Sequence, residues 1–370
     1  MLKSKKLKII FLSDASSIHT IRWVESLSLH EFEIKLFSLF KPEKSLIEKY
    51  KKFNVKIISP DLRSKIKDLR EPNLSKIKYL KAITLLKKTI KDFKPDILHA
   101  HYASSYGILG YLSRFRPFIL SVWGSDIYYF PYKNTFNKWL LRLVIKNSDK
   151  VCSTSNAMKK IIENEYKRFD VKVISFGVDI DLFEPNYNNQ EFNVGTIKSI
   201  EDYNGIDCLI DAAKLVIKDY NKNIYFHIIG EGTLKKEMQQ KVKDLEIEDK
   251  VKFTGFVKHE KVIKYYNDLS IFVAVSRRES FGVSVLEAAS CGIPSITSNI
   301  GGLTEVNIHN KTGIVINPDD PKKLAEIIVR LYEHGEQRLR LGKNARNRVI
   351  KNFNWKNNVY EMIELYNSYN

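Results

Sequence analysis

Short apolar runs alternate along the whole chain with stretches of helical period. In the first half, residues 8–13 (Lys-Ile-Ile-Phe-Leu-Ser), 33–38, 55–59, 96–101, the run ending at Val122, 150–155 and 171–175 read as strands. In the second half, 192–197, 224–230, 251–253, 271–275, 294–297 and 312–315 do the same. Runs this short, bounded by polar or turn residues and apolar nearly throughout, fit strands buried on both faces of a parallel sheet. Between them, apolar residues spaced three and four apart mark helices over 43–53, 74–93, 136–145, 156–166, 207–219, 234–243, 261–267, 283–290 and 324–332. Regular strand–helix alternation in both halves predicts an α/β protein of two doubly wound domains facing a central cleft. A chain of 370 residues is too long for one core and supports that division.

Composition and charge refine this picture. Cys152, Cys208 and Cys291 stand far apart, which predicts free thiols and a reducing compartment. The basic start is followed by an apolar run, Ile9 to Leu12, too short for a signal peptide, and nothing approaches the ~20 apolar residues that cross a bilayer. The expected location is cytoplasmic, with room for peripheral attachment to the inner face of the membrane. Of the net charge of +18, residues 1–185 carry +16 (35 Lys+Arg against 19 Asp+Glu). A basic first half attracts polyanions such as anionic lipid, nucleic acid or a diphosphate-linked acceptor. The lysine-rich helix 74–93 reads either as a membrane-surface element or as a core-packed helix with a basic solvent face. Helix 136–145 is a second basic amphipathic candidate. No nucleic-acid-binding motif accompanies the charge, so a nucleic-acid-binding protein is the rival of another class and not the expectation.

The candidate chemistry concentrates in residues 276–294, Ser-Arg-Arg-Glu-Ser-Phe-Gly-Val-Ser-Val-Leu-Glu-Ala-Ala-Ser-Cys-Gly-Ile-Pro. A strand, a turn at Gly282 and a helix start place unpartnered amides where they favour an anion. Glu279 on the loop and Glu287 about one helical turn on flank that turn. Carboxylates only accept hydrogen bonds, so the pair suits a ligand with phosphate and vicinal hydroxyls, such as a nucleotide sugar. Alone, the pair reads equally well as a solvated loop residue and a surface helix residue. His99 and His101 share one face of a strand. They have no third ligand nearby, so no metal site is expected.

Glu279-x-Phe281-Gly282, Glu287-Ala288, Cys291-Gly292-Ile293-Pro294 and Gly301-Gly302-Leu303-Thr304-Glu305 closely resemble the donor site of glycosyltransferase family 4, retaining enzymes of the GT-B fold. The resemblance covers nearly the whole chain. Gly177-Val178-Asp179 with Phe183-x-Pro185 looks like the family's interdomain linker, so Asp179-x-Asp181 is not expected to hold metal. The resemblance implies an acceptor domain over 1–185, a donor domain over 186–352 and a terminal helix, 353–370, packing back on the first domain. It gives Glu279 the transferred sugar, Glu287 the ribose and Lys198 the diphosphate, with Phe281, Gly282, Val283, Ser284 and Arg278 lining the donor. The base would lie by Gly230-Glu231-Gly232 and Thr254-Gly255-Phe256-Val257. His101 takes the reacting face, and His19, Ser104 and Asp126 the acceptor side. Glycines of the 301–302 pair would let backbone approach the ligand. The chain departs from the family at Ser16-Ser17, where Gly-Gly is usual, and at Thr196 and Asn204, where Arg and Lys usually neutralise the diphosphate. Lys198 is then the nearest replacement charge, with Arg277 and Arg278 in reach. The implied activity moves a sugar from a nucleoside diphosphate to a hydroxyl, with no cofactor or metal. The basic first domain favours a lipid-linked saccharide acceptor, as in surface polysaccharide or glycan assembly. A soluble acceptor, or nucleotide-sugar epimerisation, is the alternative on the same fold.

Overall fold

The computed structural model describes residues 6–62, 72–186 and 191–369, with only the backbone of 72–79. It divides into two compact units, Met1–Ile174 with Val359–Asn370, and Ser175–Asn358.

The first unit runs β1 (Leu7–Leu12), α1 (Ile18–Ser28), β2 (Phe32–Phe37), α2 (Lys44–Lys52), β3 (Lys56–Ile58), α3 (Pro72–Phe93), β4 (Ile97–His101), α4 (Ile108–Ser113), β5 (Phe118–Val122), α5 (Ser125–Tyr128), α6 (Thr135–Lys146), β6 (Lys150–Ser153), α7 (Asn156–Tyr166) and β7 (Lys172–Val173). The strands form one parallel sheet, ordered β3-β2-β1-β4-β5-β6-β7. The second unit runs β8 (Asn193–Ile197), α8 (Ile206–Lys214), β9 (Tyr225–Ile229), α9 (Lys235–Asp244), β10 (Val251–Gly255), α10 (Val262–Asn267), β11 (Ile271–Ala274), α11 (Val283–Ser290), β12 (Ser295–Ser298), α12 (Leu303–Val306), β13 (Gly313–Ile316), α13 (Pro321–Glu333) and α14 (Gly335–Asn352). Its parallel sheet is ordered β10-β9-β8-β11-β12-β13. The last helix, α15 (Trp355–Asn367), ends the chain.

In both sheets the strand order reverses once, between β1 and β4 and between β8 and β11. Loops leaving the two strands at such a point diverge, and ligands of open α/β sheets bind in the crevice between them. Register pairs Leu12 with Ala100, so Ser13 and His101 emerge side by side. It pairs Phe272 with Gly195, which brings the segments of Lys198 and Ser276 out together. Each sheet is apolar on both faces because helices cover both, as the burial of β1, β4, β5 and β11 records.

Several sequence readings need correction. Residues 175–185 belong with the second unit, not the first. Phe183 is buried there against Tyr266 and His259, and its carbonyl accepts from Ser290 Oγ at 2.7 Å. Residues 353–358 also stay with the second unit, while Val359–Asn370 belongs to the first. There Tyr366 is buried, its hydroxyl 2.6 Å from His99 Nδ1. The first helix begins at Ile18, so the acceptor-side candidate His19 stands in its first turn. The stretch 207–219 is α8 followed by a π-helical turn over Leu215–Asp219. In α3, Ala82, Leu86 and Phe93 are buried while Lys81, Lys87, Lys88 and Lys91 are exposed, so the described side chains pack on the core behind a basic solvent face. Lys76, Ile77 and Lys78 of the same reading, and the basic residues up to Lys5, lie outside the described side chains. Among the described residues, no helix is long and apolar enough to cross a membrane.

Candidate active site

At the switch point of the second sheet, Lys198 Nζ donates to Glu279 Oε2 at 2.5 Å and to Ser276 Oγ at 2.9 Å. Glu279 Oε1 accepts from the amides of Ser280 (3.0 Å) and Phe281 (3.4 Å). Burial alone would raise this carboxyl's pKa. The Lys198 charge, its hydrogen bond and the two amides together hold it below the usual carboxylate range, so it is ionised at neutral pH. Asn204 is buried behind the pair, donating to Ser199 and accepting from Ser276 Oγ. Thr196 is buried within β8. Neither replaces the missing cations. Arg277 is engaged by Asp207 (2.6 Å) and Asp319 (2.7 Å) and donates to the Asp202 carbonyl, which makes it a structural strut. Arg278 is exposed, its guanidinium 5.6 Å from the Tyr203 ring centroid.

Glycines lock the loops that carry this pair. A Cβ on Gly230 would lie 1.9 Å from the Lys198 carbonyl oxygen, so only glycine lets the turn after β9 seat against the lysine's backbone. A Cβ on Gly302 would lie 2.4 Å from Phe281 Cα. Gly302 therefore serves close packing against the Ser280–Phe281 backbone.

Gly282, with φ +105°, turns the chain into α11. Val285 and Leu286 amides reach the Gly282 carbonyl. Those of Val283 and Ser284, in the first turn, have no intrahelical acceptor. The Phe281 side chain is buried against Phe176 and Phe353, so it anchors the turn and does not line a ligand surface. Glu287 is only 7% exposed, which overturns the surface-residue alternative. Its Oε1 accepts from His259 Nε2 at 2.9 Å and its Oε2 from the Tyr266 hydroxyl at 2.7 Å. Burial first, and then the Glu287 charge, push the Tyr266 hydroxyl well above its ordinary pKa, so it stays a donor. Each oxygen keeps a free lone pair for a ligand hydroxyl. Sequence reasoning missed His259 and Tyr266. The only cue was the pair Tyr265-Tyr266 in a short helix, indistinguishable there from core packing.

At the first switch point, His101 Nδ1 lies 3.2 Å from Ser13 Oγ, which lies 2.7 Å from Thr20 Oγ1. The His101 ring sits 4.5 Å from that of Trp123, and His19 meets Trp123 edge-on at 5.8 Å. A cavity of about 390 Å³ opens here, walled by Asp14, Phe40, His101, Tyr102, Tyr106 and Trp123, among others. Ser104 is half-buried on the turn following β4. Asp126 has no exposed surface and accepts from the amides of Ala103, Trp123 and Gly124, so it ties the ends of β4 and β5 together. It positions the cavity wall and does not reach into the cavity.

Both ring nitrogens of His99 are engaged, by Tyr366 and by Ser121 Oγ at 2.8 Å. Burial lowers its pKa to about 3. Burial, with His99 and His19 nearby, also holds His101 well below the ordinary value. Both are neutral at pH 7. Below pH ~6.5 the unfolded chain takes up protons that the folded chain refuses, so stability falls as pH drops toward 3. For His99 the slope is about 1.4 kcal/mol per pH unit between those two values. Urea unfolding at pH 7.5 and 5.0 should show a loss of about 2 kcal/mol from His99, with His101 adding to it in the same direction. A stability unchanged over that interval would contradict the burial of both rings.

Two doubly wound units of this topology, each with its polar cluster at a switch point, make up the GT-B architecture. The chain belongs to the GT-B glycosyltransferases of the family-4 type, and it is a glycosyltransferase. The profile of "Glycosyl transferases group 1" matches residues 178–348, and that of "Glycosyl transferase 4-like" residues 8–155. An uncharacterized glycosyltransferase of Methanocaldococcus jannaschii, MJ1178, is 30% identical over 304 residues, covering 80% of this chain and 83% of the relative. A capsular polysaccharide biosynthesis glycosyltransferase of Staphylococcus aureus, CapM, is 28% identical over 59% of this chain and 60% of its own. The crystal structure of Anabaena Alr3699/HepE in complex with UDP-glucose superimposes with a TM-score of 0.80 at 18% identity, covering 98% of this chain and 100% of that one.

Proposed function

We propose that the protein transfers a hexosyl group from a nucleoside-diphosphate sugar to a hydroxyl of a lipid-linked saccharide, with retention at the anomeric carbon, in the assembly of a surface polysaccharide or glycan. The donor belongs to the second unit and the acceptor to the first. The observation that carries this is the Lys198–Glu279 ion pair at the second switch point, beside a helix start and a buried, pre-oriented Glu287. Glu287 holds the ribose hydroxyls and Glu279 those of the sugar. Lys198, the Val283 and Ser284 amides and exposed Arg278 take the diphosphate. The bond from the anomeric carbon to the diphosphate breaks with its electron pair on the departing phosphate oxygen, which takes up the proton of the acceptor hydroxyl as the bond to the acceptor oxygen forms on the same face. Fixed positive charge at the leaving group stabilises that step without a metal ion. His101, neutral and held by Ser13, borders the reacting face. HepE crystallised with UDP-glucose supports the donor class, and CapM the polysaccharide role.

The test is a thermal-shift series with UDP-, GDP- and ADP-linked sugars, followed by NMR of the product's anomeric configuration. A ligand present at a hundred times its Kd adds about 2.7 kcal/mol, a shift of several degrees. At least one nucleotide sugar should stabilise the wild type in this way and Glu287→Ala far less. No shift with any of them, or an inverted product, would overturn the reading.

A further inference from the structure

The first unit carries a surface that the transfer reaction does not use. Tyr129, Tyr132, Phe136 and Trp139 are 52%, 58%, 62% and 54% exposed, all within eleven residues. They occupy the 3-10 turn Phe130–Tyr132, the residue before it and the outer face of α6, whose inner face buries Leu141, Val144 and Ile145. The Phe136 and Trp139 rings lie 5.7 Å apart. Singly exposed aromatics are ordinary, but four gathered on one short segment mark an interaction site.

The charges around them are mostly positive. Lys133 Nζ stands 4.7 Å from the Tyr129 ring centroid, and Arg142 and Lys146 are exposed. Glu165 is the acidic group at the patch, and it is already met by Lys138 at 2.8 Å and the Tyr132 hydroxyl at 2.5 Å. In the same helix layer, α4 packs on α6 and α3 on α4. α4 exposes Leu112, and α3 exposes Leu80 with the lysines named above.

This combination selects the occupant. A second copy of the chain would set Lys133, Arg142 and Lys146 against the same cations across a two-fold axis. An anionic bilayer complements them. Tyrosine and tryptophan rings favour the headgroup level of a membrane, with phenylalanine below it. Lysines and arginines near the surface meet anionic lipid, each worth about fivefold in binding. The patch is also a close neighbour in sequence of the first unit's cavity. Only six residues lead from Trp123 in the cavity wall to Tyr129, through α5, whose Ser125 hydroxyl bonds that of Tyr102 in the same wall. We infer that Tyr129, Tyr132, Phe136 and Trp139, with Lys133, Arg142 and Lys146, are the face by which the protein docks on an anionic lipid bilayer. The face supplies the surface on which a lipid-linked acceptor would be met, and it rests on the proposed function for that purpose alone.

The test uses the full chain and vesicles of phosphatidylcholine with or without 30% phosphatidylglycerol. The protein should sediment with the mixed vesicles and not with phosphatidylcholine alone. Phe136→Ser/Trp139→Ser should lower partitioning at least tenfold, and Lys133→Gln/Arg142→Gln/Lys146→Gln roughly a hundredfold at low salt. Brominated lipid in the mixed vesicles should quench tryptophan fluorescence in the wild type, and much less in Trp139→Phe, a replacement mild enough to keep the fold. Failure of the wild type to bind the mixed vesicles, wild-type partitioning by the double variant, or equal quenching in Trp139→Phe would each overturn the inference. So would a dimer that dissociates in the double variant while no vesicles are bound. Thermal shift by nucleotide sugar, read on the same proteins, is expected to be unchanged by these substitutions. A wild type that binds vesicles but shows no such shift would therefore sink the donor reading and leave the docking face standing.

Discussion

Glu279→Gln is expected to lower kcat by about a hundred- to a thousandfold while leaving the circular dichroism spectrum unchanged. The substitution keeps the shape of the side chain and removes its charge. One carboxylate oxygen accepts from two backbone amides and the other from Lys198, so an amide satisfies one side only by turning its NH2 toward the other. Lys198, whose side chain is 8% exposed, then loses its best acceptor. About 1–3 kcal/mol of stability should go with it, the usual cost of a buried polar group left without its partner. Activity should suffer more, because on the proposed reading Glu279 both orients the sugar and aims the lysine. Steady-state kinetics with the stabilising nucleotide sugar decide the matter, and a kcat within threefold of wild type would remove Glu279 from the chemistry.

Lys198→Met should be comparably severe. It takes away the buried point charge that faces the departing diphosphate, and mutational losses of such preorganised stabilisation run to about a hundred- to a thousandfold in kcat. It also strands Glu279 without its cation, so burial wins and the carboxyl pKa rises from its present depressed position. Lys198→Arg should restore little. The ammonium fits between Ser276 Oγ and Glu279 Oε2, a gap made for one compact donor, whereas a guanidinium presents a broad planar fork. Because the two side chains act as a unit, the double variant Lys198→Met/Glu279→Gln should be hardly slower than either single one. Multiplied losses in the double variant would mean that the residues act separately.

Much of this was legible in the chain itself, for physical reasons that differ from element to element. Buried parallel strands announce themselves as apolar runs, and β4, β8 and β11 lie within a residue or two of the runs that predicted them. The two histidines of β4 share a face because strand periodicity leaves no alternative, and their rings stand 4.7 Å apart. The glutamate spacing carried the family resemblance. Helix α14 was not legible. It buries only Leu341, Gly342, Ala345 and Val349, while Leu339 and Ile350 point outward, so its apolar stripe is blurred. The state of single side chains was also hidden. Arg277 and Arg278 are neighbours in sequence, yet three acidic residues surround one while the other faces solvent. Asp126 looked like a polar residue at a strand end and is a buried clamp on three amides. Spacing reports which face a residue shares, but its partners come from loops far away in sequence.

The central claim is that the Lys198–Glu279 pair and the α11 start receive the diphosphate and sugar of an activated donor. A crystal structure with the nucleotide sugar that raises the melting temperature tests it most directly. The account predicts diphosphate oxygens at about 2.7–3.2 Å from Lys198 Nζ and from the Val283 and Ser284 amides, with ribose hydroxyls on Glu287. A diphosphate bound elsewhere, with Lys198 and Glu279 still joined and bare of ligand, would contradict it.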